Sequence, residues 1–261
     1  MPHPHAAPFL LALILAVTPA AASPARALFE DGRFSEAATA ARDEGTPDAL
    51  ALAARATLAV AAFEAPTKAR AEALIRTAIA DAERALQQEP RQHEAQLQRA
   101  IAKGYLAKLG NSPKLGREAR RLMDQALRQA PDNALAWAAL GGWHGESVAT
   151  LGGFLAGSLL GARESEGIRH YEEALRRDPA SPTFPTFFAF TLARLDDDNW
   201  PRVRTLLERA GKLPPRDGFE ALMAAQARDV LAALNARETK RAKVLILRYQ
   251  PFGQFLAGKA P

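Results

Sequence analysis

Apolar residues along this chain recur at three- and four-residue spacings, and no run of Val, Ile and Thr alternates strictly with polar residues. That period belongs to helices, so helices are expected throughout and no strand. Ala49 to Glu64 reads as one alanine-rich helix and Lys68 to Gln88 as the next. Gly45-Thr46-Pro47-Asp48 and Pro66-Thr67 punctuate them, each offering a helix breaker and a hydroxyl or carboxylate cap. Gly32, with Phe34 two residues on and Glu36-Ala37 after it, marks an earlier elbow between two helices. Aromatics make up only 7% of the chain, so alanine carries much of the apolar share. Such helices can approach closely, which favours stacked helical hairpins.

One helix ending recurs. Ala85-Leu86 precedes Pro90, Ala126-Leu127 precedes Pro131, and Ala174-Leu175 precedes Pro179, with a looser copy from Leu206 to Pro214. The alanine admits a neighbouring helix, the leucine fills the groove beside it, and the proline stops the helix. Pro179 and Pro214 stand 35 positions apart, whereas the two preceding intervals are 41 and 48. After two of these prolines comes a second pattern. Trp137, Leu140, Gly141 and His144 are followed in the next unit by Phe184, Phe188, Ala189 and Leu192, with Leu97, Ala100 and Gly104 a weaker copy.

These endings and openings resemble the two helices of the tetratricopeptide (TPR) repeat, whose period is about 34 residues. The resemblance covers most of residues 27–235. It implies an all-α, right-handed α-solenoid of tetratricopeptide-like helical hairpins, interrupted by a Gly-rich helical insertion. The expected organisation is a signal peptide over 1–22, the repeat domain over 23–235 with its insertion at 148–162, and a basic C-terminal capping helix and tail over 236–261.

The insertion carries no charge from Val148 to Ala162, and eight of the 17 glycines fall between Gly141 and Gly167. Gly153, Gly157 and Gly161 are four apart, so on one helix they would line a face for helix packing or interaction. An extra hairpin buried inside the solenoid is one expectation. A contact surface for a partner helix, a second copy or a membrane interface is the other.

The first 22 residues hold a short apolar run, Phe9 to Val17, followed by small residues up to Ala22. This reads as a secretory signal cut near Ala22, and with it a periplasmic location. The n-region departs from the usual pattern in having His3 and His5 but no Lys or Arg. There is no cysteine, so neither disulfides nor lipidation at a cysteine are expected. Net charge is +5, and the surplus lies in the last segment, where Arg237, Lys240, Arg241, Lys243, Arg248 and Lys259 face one acid, Glu238. A neutral body on an exported chain speaks against nucleic acid as a partner.

Catalytic and metal motifs are missing, with no H-E-x-x-H, G-x-S-x-G or P-loop spacing. His144 and Glu146 are two apart and would point to different helix faces. Asp196-Asp197-Asp198-Asn199 reads as a capping turn. No enzyme, cofactor or metal is expected.

What the resemblance implies instead is a non-catalytic scaffold or adaptor of the bacterial cell envelope, binding a peptide or helix in a concave groove lined by first helices. Carried over position by position, the partner-binding residues would be Tyr105, Lys108, Leu135, Ala138, Gly142, Glu146, Thr186, Phe187, Phe190, Arg194 and Arg228. The charged ones would clamp a backbone or terminus and the apolar ones would set specificity. The alternative is a membrane-associated structural or oligomerising protein acting through the insertion and the basic tail. A protein or peptide partner is expected; peripheral membrane contact and a homo-oligomer stay open.

Overall fold

The computed structural model describes residues 23–256. Within them the chain is all-helical, with fourteen α-helices and no strand. The expected signal segment, residues 1–22, lies outside the described residues. Six hairpins follow one another: α1 (Pro24–Glu30) with α2 (Phe34–Glu44), α3 (Pro47–Ala59) with α4 (Lys68–Gln88), and α5 (His93–Gly110) with α6 (Pro113–Gln129). Then α7 (Ala134–Leu151) pairs with α9 (Glu164–Arg177) across the short α8 (Gly153–Leu160). Helices α10 (Thr183–Leu195) with α11 (Trp200–Lys212), and α12 (Gly218–Asn235) with α13 (Thr239–Tyr249), complete the series, and a last turn, α14 (Gly253–Leu256), follows. The stacking in chain order is that of an α-solenoid.

Local chemistry explains the boundaries. Thr46, Thr67, Ser112, Asn133 and Asp217 each accept a hydrogen bond from a backbone N–H in the first turn of the helix they precede. Pro47 and Pro113 occupy first-turn positions, where a missing N–H costs nothing. Gly45 and Asn111 end α2 and α5 in the left-handed conformation, at φ 68° and 48°. The helix expected over 49–64 begins at Pro47, and its last turn, Val60–Glu64, widens into a π-turn.

The recurring alanines are buried as their role requires: Ala85, Ala126, Ala174 and Ala210 are all inaccessible or nearly so. Close approach is tightest between α7, α9 and α10, and glycines make it. A Cβ at Gly141 would lie 2.8 Å from the Tyr171 ring, and one at Gly145 would lie 2.2 Å from Thr191 Cγ2. Gly167 packs on the backbone of α7, where its Cβ would lie 3.1 Å from the Gly145 nitrogen.

Two long-range contacts change the shape expected of an open solenoid. The start of α12 meets the first two hairpins, where Gly218 packs against Gly32 of the first and Asp217 pairs with Arg55 of α3 at 3.4 Å. Phe219 stands among Phe34, Phe63 and Phe187, with ring centroids 6.4, 6.0 and 6.4 Å away. The segment after α13 then crosses to the second and third hairpins. Phe252 N–H donates to the Ala62 carbonyl at 2.9 Å, and its buried ring meets Tyr105 edge-on at 5.0 Å. Phe252 holds this position at φ 69°, a strained value for a residue with a side chain.

Helix α13 covers α12 through Ala242 and Ile246, as a capping helix should. Its basic residues stay at the surface, where Lys243 pairs with Asp197 and Arg241 with Glu238.

Candidate binding cavity

The first helices α5 and α7 stand apart at their C-terminal halves, and a cavity of about 550 Å³ lies between them. Its walls are apolar: Ile101, Met123, Leu135, Ala138, Ala139, Trp143, Leu160, Tyr171 and Phe187 face it, with Gln250 and Pro251 of the returning tail. Exposed Asn111, Pro113, Thr150 and Leu151 form its rim. A second, more polar space of about 360 Å³ lies towards the N-terminal ends of the same helices. Both share Ile101, Tyr105, Leu135 and Phe187, so the interior is two lobes joined at an apolar waist.

One charged group sits in the apolar lobe. Glu146 accepts from Lys108 Nζ at 3.1 Å and from Arg194, so a carboxylate from α7 joins cations from α5 and α10. Burial alone would raise the Glu146 pKa, but the Lys108 and Arg194 charges outweigh it and hold the carboxyl well below its usual range. Tyr105 and Tyr171 beside it are shifted upward by burial, and both remain neutral phenols. Tyr171 OH is shared with Thr191 Oγ1 at 3.2 Å.

Seven of the eleven residues expected to face a partner line this lobe: Tyr105, Lys108, Leu135, Ala138, Gly142, Glu146 and Phe187. The other four do not. Arg194 reaches only the Glu146 carboxylate from α10. Thr186 is fully buried, its hydroxyl donating to the Pro182 carbonyl at 2.7 Å. Phe190 is core, stacked on Tyr249 of the capping helix. Arg228 projects outward against Gly211 of α11. In α10 the face towards the groove is thus narrower than a repeat register implies, because the capping helix covers one side of it.

The glycine stripe also needs correction. Gly161 lies beyond α8 as its left-handed cap at φ 71°, and nothing stands within 4 Å of a Cβ at Gly153. Among the described residues no helix packs on Gly157, whose Cβ would meet only the Ala162 carbonyl, 3.8 Å away. The insertion is not a buried hairpin either: of α8 only Ala156 is buried, and Phe154 is 85% exposed. Backbone-close packing does occur here, through Gly141, Gly145 and Gly167 instead.

Trp143, Ala139, Tyr171 and Leu160 are among the lining residues that sequence reasoning missed. Ala139 and Trp143 sit one position beyond Ala138 and Gly142 on the same face of α7, so widening that stripe by one residue finds them. Tyr171 was legible only through Gly141, whose missing side chain leaves room for its ring.

His144 and His170 stack behind the lobe at 5.5 Å. His144 Nδ1 accepts from Arg163 N–H, and His170 Nδ1 donates to the Glu166 carbonyl. His144 and Glu146 therefore turn to opposite sides of α7, as their spacing implied. No group of three His, Asp or Glu side chains able to hold a metal occurs among the described residues.

An all-helical repeat protein with an apolar cavity open at one rim is the class that this fold and site define. Comparison with known families gives the particular one. The chain belongs to the family described as regulator of microtubule dynamics protein 1-3, whose sequence model matches residues 27–235. That match corrects the tetratricopeptide assignment. The Ala-Leu-to-Pro ending and the Trp-Leu-Gly opening are shared packing solutions of helical hairpins, and the family that accounts for the span is this one. No curated protein matches the chain.

Proposed function

We propose that this chain is a non-catalytic binding protein, a scaffold that seats the apolar side chains of a partner segment in the lobe between α5 and α7. The observation that carries the reading is the lobe itself. It is large enough for two or three apolar side chains, and its wall is almost wholly hydrocarbon and aromatic. Its charged contact is a ready-paired cluster of Lys108, Glu146 and Arg194. Binding sites of this kind draw affinity from apolar burial and orientation from a few polar groups. Here Lys108, the least constrained of the three, would meet a polar group at the end of the guest.

The returning tail narrows the choice. With Gln250 to Phe252 laid against α5, the concave face is not a continuous groove, so an extended peptide running its length does not fit. A short amphipathic turn or helix entering at the rim does.

A photo-crosslinking residue at Leu135, inside the lobe, compared with one at Arg228, on the outer face, tests this in the full chain. A protein adduct at Leu135 that is lost when Ala139→Phe fills the lobe is the expected result. Equal adducts at both positions, or none at Leu135, would overturn the reading.

A further inference from the structure

Beyond the lobe, α8 presents an unusual surface. Leu151, Phe154, Leu155 and Leu159 are 38, 85, 48 and 45% exposed, four of the five large exposed hydrophobics among the described residues. They lie together on the end of α7 and on α8, whose eight residues carry no charge. Contiguous apolar exposure of this kind marks a contact surface.

Several polar groups at the C-terminal end of α8 are already satisfied. Ser158 Oγ donates to the Phe154 carbonyl of its own helix at 3.0 Å. The Leu159 carbonyl accepts from Arg117 and the Gly161 carbonyl from Arg120, each at 2.9 Å. Ala162 N–H returns to the Ala156 carbonyl. A helix end usually leaves carbonyls that need water, and two guanidiniums meet that need here. The tip can therefore enter a low-dielectric medium without stranding these acceptors.

The charge around it is mostly positive. Lys114, Arg117 and Arg121 are exposed along one side of α6, at three- and four-residue spacing, and exposed Arg163 follows α8. Of the neighbouring acids, Glu118 is paired with Lys103, Asp124 with Arg120 and Glu166 with Arg169, leaving Glu164. A second copy meeting this patch across a two-fold axis would set the same cations against each other, which disfavours self-association. An anionic bilayer complements both features, taking the apolar tip among its acyl chains and the cations among its headgroups.

We propose that α8 and the Lys114–Arg117–Arg121 side of α6 form a membrane-docking tip for anionic lipid surfaces. The basic α13 is not part of it, and the contact runs through the apolar side chains of α8, not through its glycines. No helix among the described residues is long and apolar enough to cross a membrane, so the tip would lie in the interface.

The chain has no cysteine, so single labels can be placed cleanly. Full-length Leu159→Cys and, as an outer-face control, Arg228→Cys are labelled with an environment-sensitive fluorophore and titrated with vesicles. One set contains phosphatidylcholine with about one third phosphatidylglycerol, the other phosphatidylcholine alone. The expected result is blue-shifted, brighter emission at position 159 with the anionic vesicles, and none at 228. Phe154→Ser combined with Leu155→Ser should weaken partitioning about a hundredfold, consistent with the loss of two apolar anchors, and leave thermal melting unchanged. Lys114→Glu with Arg121→Glu should remove the preference for anionic lipid. Emission at 159 that ignores vesicles overturns the proposal. So does a patch that instead makes the chain dimerise in sedimentation, with dimers lost in the Phe154→Ser, Leu155→Ser variant.

Discussion

Gly218 lies against Gly32 so closely that a Cβ on Gly218 would stand 2.3 Å from both the Cα and the nitrogen of Gly32. Backbone, not a movable side chain, occupies that space. The contact joins the sixth hairpin to the first, and only glycine at 218 permits it. Gly218→Ala should therefore destabilise the protein by about 2–3 kcal/mol, the range for overpacking a rigid site. For a chain of this size that is a fall in Tm of about 4–8 °C. Calorimetry of the variant checks it, and an unchanged Tm would show that the two ends can separate freely.

Gly145 and Thr191 form a similar contact between α7 and α10, but here the obstacle is a single methyl, Cγ2 of Thr191. Gly145→Ala alone should cost about 2 kcal/mol. Adding Thr191→Ser removes the methyl and keeps the hydroxyl shared with Tyr171. The double variant should recover most of the loss in urea unfolding. Simple additivity of the two changes would mean that they do not meet.

Glu146 holds two cations from two other helices. Glu146→Gln leaves Lys108 and Arg194 partly buried beside a neutral amide, and should destabilise by about 3 kcal/mol. Lys108→Met should cost much less, because Arg194 still pairs with the carboxylate and methionine suits an apolar wall. Denaturant midpoints of the two variants check the order; equal losses would assign Lys108 a structural role as large as that of Glu146.

Stability should also fall with acid before the carboxylates titrate. Burial, reinforced by the nearby Arg120 charge, lowers the His144 pKa from 6.5 to about 4. Burial lowers His170 in the same direction, although its hydrogen bond to the Glu166 carbonyl opposes the shift. A histidine depressed in the folded state leaves stability whole above pH 6.5. Below that, the unfolded chain binds the proton first, and stability is lost as pH falls towards 4. For His144 the loss amounts to about 3 kcal/mol over the window. Unfolding free energies at pH 7, 5.5 and 4.5 should follow this slope, and His144→Asn should flatten it.

Much of the fold was legible because it is local. The alanines at 85, 126 and 174, the prolines after them and the cap at Thr46 act within a few residues of themselves, and each helix boundary they imply is present. The lobe was partly legible through the resemblance: the carried-over positions Leu135, Ala138, Gly142 and Glu146 fall together on one face of α7. What period does not carry is contact between distant segments. Nothing around Gly218 or Phe219 signals that they meet Gly32 and Phe34, and nothing around Phe252 signals Tyr105. The docking of α13 in turn decides that Phe190 is core. The apolar insertion shows the opposite limit, since an uncharged stretch has the same composition whether it is buried or displayed. Family membership escaped for a third reason: hairpins of different families meet the same packing demand with the same alanines and prolines.

The bond between Gln254 and the Ala65 carbonyl joins positions 189 apart, in step with that of Phe252. A ribosome adding about 5–20 residues per second needs on the order of 10–40 s to cover that distance. Once they have left the tunnel, Tyr105 and the inner side of the second hairpin spend the rest of that interval without their seal. The emerging chain thus displays its most apolar interior for much of its synthesis, and a chaperone or the guest itself is best placed to occupy it until the last turn arrives.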